Sequence, residues 1–150
     1  MNIEMILIFS ALLIGSITFA ILRKPSKIED VNTWGNRNIE NAQITFKNLE
    51  INVIPKTEYK FCLLAETDET NEIEKIISFH ESLNEKISCS GHTILTARID
   101  FKSKIQWQFY SARPLAAEKL IKQFTLPVPL RVGKIEDPEW REYLFHTGKT

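Results

Sequence analysis

Hydrophobic and polar positions divide this chain into three unlike stretches. Met5–Leu22 runs for 18 residues without a charge and without a polar face. A helix of that length rises about 27 Å, close to the roughly 30 Å hydrocarbon core of a bilayer. Ser10, Ser16 and Thr18 can return their hydrogen bonds to helix carbonyls about one turn back, so none forbids burial in lipid. Residues 25–42 are polar, with Pro25, Gly35 and several asparagines, which predicts a linker. From residue 43 to residue 150 apolar positions recur at regular spacing, which predicts one folded domain.

Within that domain the period changes from segment to segment. Ile44 and Phe46, followed by Leu49, Ile51 and Val53, predict an extended pair or one bent strand that Pro55 ends. Tyr59–Ala65 is a compact apolar run of strand length. Asn71-x-x-Glu74 then offers helix-start chemistry. Ile73, Ile76, Ile77, His80, Leu83 and Ile87 step mostly by three or four residues, which predicts a helix over 71–87. After Ser90-Gly91 the pattern alternates: Leu95, Ala97, Ile99 and Phe101 on one side, Thr96, Arg98 and Asp100 on the other. Lys102-Ser103-Lys104 is short enough for a hairpin loop, and Ile105, Trp107 and Phe109 share a face of the next strand. Pro114 suits the first turn of a second helix carrying Leu115, Ala117, Leu120, Ile121 and Phe124. Leu130–Ile135 can form a last strand at an edge, because prolines precede it.

The order strand, helix, strand, strand, helix, strand from Tyr59 onward predicts an α+β fold. Its form would be a ferredoxin-like antiparallel sheet with two helices on one face, preceded by an N-terminal transmembrane helix. The expected organisation is an anchor over 1–24, a linker over 25–42 and the domain over 43–150.

Charge decides between a retained anchor and a cleaved leader. A leader needs a basic start, a shorter apolar stretch and a small-x-small cleavage site. Glu4 is the only charged side chain before Met5, and Ile21-Leu22 continue the apolar run past Ala20. An anchor is therefore expected. Arg23, Lys24 and Lys27 follow it with no Lys or Arg before it, which predicts a single pass of the inner (cytoplasmic) membrane with the domain in the cytoplasm. Cys62 and Cys89 are too few for a disulfide framework, and in that compartment they are expected as free, small buried hydrophobes. Lys+Arg and Asp+Glu both number 19, so there is no net field, and nucleic acid is not an expected partner.

Catalytic and metal signatures are missing from the sequence. The five glycines are isolated, and there is no G-x-S-x-G and no H-E-x-x-H. His80, His92 and His146 lack ligand spacing; His80 is expected at the edge of a core. His92 follows Cys89 by three residues, but a thiolate nucleophile needs an electropositive setting, so a turn residue is the simpler expectation. Trp107, Phe109 and Tyr110 superficially resemble the stacking aromatics of an RNA-recognition sheet. The shared parity of Trp107 and Phe109 with Ile105 instead puts them under the helices, with Tyr110 on the other face. Trp34, alone in the linker, is expected to dock on the domain or at the membrane interface. No catalytic residue, cofactor or metal is expected.

The densest signal lies near the C-terminus. Asp137 suits a helix N-cap, Pro138 suits the first helical position, and Trp140 and Tyr143 share a helix face. Asp137-Pro138-x-Trp140-x-x-Tyr143, preceded by the Trp107-x-Phe109-Tyr110 strand, resembles the bacterial domain-of-unknown-function family six-nine-five. That family in turn resembles the ribonuclease E inhibitor B proteins. The resemblance covers roughly residues 92–145. It implies a ferredoxin-like module that works by protein–protein contact, and it transfers no catalytic residues. The expected function is a membrane-anchored, protein-binding or regulatory domain, with Asp137, Pro138, Trp140, Tyr143, Trp107 and Tyr110 as its interaction or structural motif. An immunity protein against a toxin, a ribonuclease-inhibitor-like regulator and an enzyme without a recognisable motif remain the alternatives.

Overall fold

The computed structural model describes residues 33–68, 73–124 and 129–149. Within them are β1 (Trp34–Ile39), β2 (Ala42–Lys47), β3 (Phe61–Asp68), α1 (Ile73–Ser90), β4 (Thr93–Phe101), β5 (Lys104–Ser111), α2 (Pro114–Ile121), β6 (Arg131–Glu136) and α3 (Arg141–Thr147). The architecture is α+β. One six-stranded antiparallel sheet has the order β1-β2-β4-β5-β3-β6, which puts β6 at one edge and β1 at the other.

Alternation along β5 sorts the sheet into two apolar faces. Ile105, Trp107 and Phe109 lie on the first, with Leu63 and Ala65 of β3 and Leu95 of β4. The buried stripe of α1 (Ile76, Phe79, Leu83, Ile87) and Ala117 and Ile121 of α2 cover them. Tyr110 points to the second face. There it joins Cys62 and Ile94 beneath Trp140 and Tyr143, and beneath Leu49, Ile54 and Tyr59 of the β2–β3 connection. Ala42, Ile44 and Phe46 continue this face toward β1, against Ala97 and Ile99.

A β-bulge in β4 overturns the expected single face for Leu95, Ala97, Ile99 and Phe101. Leu95 pairs with Phe109 but Ala97 pairs with Gln108, so one extra residue, Thr96, sits between two successive pairs. Because side chains alternate with a period of two, the extra residue moves everything after it to the other face. Leu95 therefore packs under α1, whereas Ala97 and Ile99 pack against β2. Thr96, expected on the polar side, is fully buried, with its hydroxyl on Gln108 O and Gln108 Oε1, both at 3.1 Å.

Four further expectations are revised. Trp34–Ile39, inside the segment expected to be linker, is a strand hydrogen-bonded along β2. Its Trp34 does dock on the domain, edge-on to His80 at 5.3 Å. The extension expected through Val53 stops at Lys47; Ile51–Val53 is a 3-10 turn and Val53 is exposed. On α1 the inward position belongs to Phe79, while Ile77 faces solvent. Leu115, counted with the apolar members of α2, is exposed.

The anchor expected over Met5–Leu22 and the helix start at Asn71 lie outside the described residues. Among the described residues no helix is long and apolar enough to cross a membrane.

Candidate functional site

β6 ends at Glu136, and the chain must then turn back across the second face of the sheet. Asp137 fixes that turn. Its N–H donates to Lys60 O at 2.7 Å, and its carbonyl accepts from Trp140 N–H at 3.2 Å. Its carboxylate reaches forward: Oδ1 accepts from Arg141 N–H and Oδ2 from Glu142 N–H, each at 3.0 Å. Both donors belong to the first turn of α3, where helix N–H groups lack internal partners and a negative charge is favourable. The capping role expected of Asp137 is thus present, but from four residues before the helix. Pro138 is not the first helical residue; it lies exposed in the turn.

The residue that joins turn to helix is Trp140, in left-handed conformation at φ 59°. A non-glycine residue is held there only when its surroundings compensate. Here the indole lies parallel to the Tyr110 ring, with centroids 3.9 Å apart, and its Nε1–H donates to Tyr59 O at 2.9 Å. Tyr110 Oη donates to Asp137 Oδ2 at 2.5 Å and accepts from Tyr143 N–H at 3.3 Å. Tyr143 Oη donates to Lys47 O at 2.6 Å and accepts from Leu49 N–H at 3.0 Å. Two tyrosines, one tryptophan and one carboxylate thereby tie β5, β6, α3 and the end of β2 together.

This cluster is buried and its protons are held tightly. Burial, then Cys62 and Asp137 beside it, push the Tyr110 phenol far above its ordinary range. Burial, then the Glu142 and Asp137 carboxylates, push the Cys62 thiol up to about 12. Burial also raises Tyr143. Beyond Tyr110 lies Gln108, whose Nε2 is 3.1 Å from Nδ1 of the buried His146. Burial lowers the His146 pKa, and Arg37 nearby lowers it further.

Of the six motif residues, Asp137, Trp140, Tyr143 and Tyr110 converge, Pro138 borders them, and Trp107 is elsewhere. Trp107 lies on the first face, edge-on to Phe79 at 4.8 Å. Cys89 is exposed, so the expectation of two buried thiols holds for Cys62 alone. His92 Nδ1 is 2.8 Å from Thr93 Oγ1, and that hydroxyl is 2.8 Å from Ser111 Oγ, a structural chain rather than a Cys–His pair. Among the described residues no group of three His, Cys, Asp or Glu side chains could hold a metal ion.

Among the described residues this face carries a groove of about 730 Å³ between the β1–β2 hairpin and α3. Arg37 and Ile39 of β1, Phe101 of β4, Arg141 and Phe145 of α3, and Lys149 beyond it supply most of its character. Arg37 Nη1 donates to Phe145 O at 3.0 Å, closing one end of α3. Lys149 Nζ donates to Leu49 O at 3.0 Å and lies over the Tyr143 ring. The Phe145 side chain is left out of the core, 68% exposed. Sequence inspection missed this site. The spacing Arg141, Phe145, Lys149, every fourth residue, was the available signal on one side of the groove; nothing near Arg37 announced the other.

No protein-family model matches the chain, and no curated protein and no solved structure matches it.

Proposed function

We propose that this chain is a membrane-tethered binding domain that engages another protein through the groove between the β1–β2 hairpin and α3, with the folded domain on the cytoplasmic side. The carrying observation is Phe145, a large exposed apolar side chain set in a concave surface beside Arg37 and Arg141. Aromatic and arginine side chains dominate the energetics of protein interfaces, and an exposed one in a groove is a ready anchor. The groove wall is preorganised, since Asp137 and the Tyr143 hydroxyl hold α3 from within.

The fold supports the same reading. The core from β3 to β6 runs in the order β4-β5-β3-β6, which we take as ferredoxin-like, with the β1–β2 hairpin and α3 as additions. Those two additions are the parts that build the groove. The resemblance read from the sequence over residues 92–145, to family six-nine-five and through it to inhibitor proteins that act by contact, would imply a binding role rather than a catalytic one. Cys62 and Tyr110, whose pKa values burial raises, sit in the interior cluster and are not part of the groove lining.

The test is site-specific photo-crosslinking in intact cells, using the full chain. A photoreactive amino acid at Phe145 is expected to trap a discrete protein. The same probe at Leu115, exposed on α2, is expected not to trap it. Equal labelling from both positions, or none from Phe145, would overturn the reading. Recovery of the full chain from the soluble fraction after alkaline washing of membranes would overturn the tether.

A further inference from the structure

We infer that the groove takes an acidic segment of a protein partner, one large apolar side chain flanked by carboxylates. This deepens the binding reading above and rests on it. Among the described residues, three cations, Arg37, Arg141 and Lys149, line the groove against one carboxylate, Glu40. The chain as a whole is neutral, so this imbalance is local to the groove and not a reflection of composition. A concave, partly apolar wall focuses the field of such cations onto whatever enters.

The kinds of cation also matter. Arg141 is exposed on the first turn of α3. Arg37 gives one N–H to Phe145 O, which orients the guanidinium beside the apolar anchor. Guanidinium groups present paired donors that match a carboxylate in two parallel bonds. Lys149 is held at Leu49 O and adds a third positive charge to the lining. Ile39, Phe101 and Phe145 supply the apolar floor and rim between these charges. An acidic segment carrying one hydrophobic side chain satisfies both features at once. A bilayer surface presents the same anionic chemistry, but a flat sheet of headgroups does not fill a concave groove, so the peptide is the occupant favoured.

The experiment uses the full chain in neutral detergent and fluorescent synthetic peptides. One peptide carries a central leucine flanked by Asp and Glu; its twin has Asn and Gln in their place. The acidic peptide is expected to bind at least about tenfold more tightly than its twin, and to weaken as salt is raised. Arg141→Glu and Lys149→Glu are each expected to weaken it about tenfold or more, Phe145→Ala similarly, and Leu115→Ala not at all. Equal affinity for both peptides, or indifference to Arg141→Glu, would overturn the inference. So would Arg141-dependent binding to phosphatidylglycerol vesicles without peptide binding, or Arg141-dependent self-association of the chain.

The two proposals fail separately. If a protein is trapped at Phe145 and its capture survives Arg141→Glu and Lys149→Glu, the binding reading stands and the acidic-partner inference falls. If the acidic peptide binds as described while nothing is trapped at Phe145 in cells, the groove's chemistry stands and the cellular partner reading falls.

Discussion

The Tyr110 hydroxyl donates to Asp137 Oδ2 at 2.5 Å while its ring lies against Trp140. One side chain on β5 therefore sets both the turn after β6 and the angle at which α3 crosses the sheet. The same carboxylate accepts from two helix N–H groups, so strand, turn and helix share a single acceptor. A buried network in which every member is satisfied specifies one arrangement, and losing one member leaves the others unpaired in a low dielectric.

Asp137→Ala is expected to lower stability by about 2–4 kcal/mol, because it removes a helix cap and strands buried donors. Tyr110→Phe keeps both bonds from Asp137 to the helix but leaves the Tyr143 N–H without its acceptor, and is expected to cost about 1–3 kcal/mol. The two changes share one hydrogen bond, so the double variant should lose less than the sum. Urea unfolding of the four proteins measures this. Strict additivity would show that the Tyr110–Asp137 bond contributes nothing on its own.

Much of this arrangement was legible in the sequence. Trp107 and Phe109 share parity with Ile105, which correctly separated them from Tyr110, because alternation needs only local geometry. The α1 stripe was visible for the same reason, apart from the exchange of Ile77 for Phe79. The β4 bulge was not, since a one-residue insertion is set by Thr96 and Gln108 bonding across strands. Nor was β1: a short polar edge strand carries little alternation, and pairing with β2 is what orders it. Asp137, Trp140 and Tyr143 drew notice as a motif, but their meeting with Tyr110 spans a separation in sequence that no periodicity encodes. The groove needs Arg37 and Phe145 side by side, a still longer separation.

The two thiols should behave as different species. Cys62 is buried and its pKa is pushed up to about 12, whereas Cys89 is exposed near the end of α1. A thiol needs both access and thiolate character to react. Ellman's reagent is expected to modify one thiol promptly in the native protein and the second only in denaturant. Cys89→Ser should abolish the prompt reaction. Equal native rates for both thiols would contradict the buried position of Cys62.

Among the described residues two glycines have positive φ, and they predict different consequences for the groove. Gly91 (φ 68°) has open space where a Cβ would stand. Gly148 (φ 69°) would place a Cβ 2.5 Å from Arg37 Nη1. Alanine at either site is expected to cost about 1–2 kcal/mol for the left-handed backbone. Only Gly148→Ala also pushes Arg37 away from Phe145 O, so only it should weaken acidic-peptide binding. Thermal melts read the first effect and peptide titrations the second; matched binding by the two variants would sink the assignment of Arg37 to the groove.

Acid should weaken this fold partly through His80. Burial, then the Arg98 charge, depress its pKa to about 4, and its Nδ1 lacks a hydrogen-bond partner among the described residues. Above the ordinary histidine value of 6.5 the ring is neutral in both folded and unfolded chains and adds no pH dependence. As pH falls from 6.5 toward 4 the unfolded chain takes up a proton that the folded one refuses, so stability is lost across that window. The loss from one proton cannot exceed about 1.4 kcal/mol per pH unit. His146 and His92 are lowered too and act with the same sign, as do the lowered carboxyls Glu66 and Asp68. The difference between wild type and His80→Gln isolates the one ring, since glutamine stays neutral throughout. Denaturant unfolding at several pH values should give a flatter profile for His80→Gln between pH 6.5 and 4 and parallel profiles above that range. Parallel profiles everywhere would mean that His80 takes up its proton in the folded state as readily as in the unfolded one.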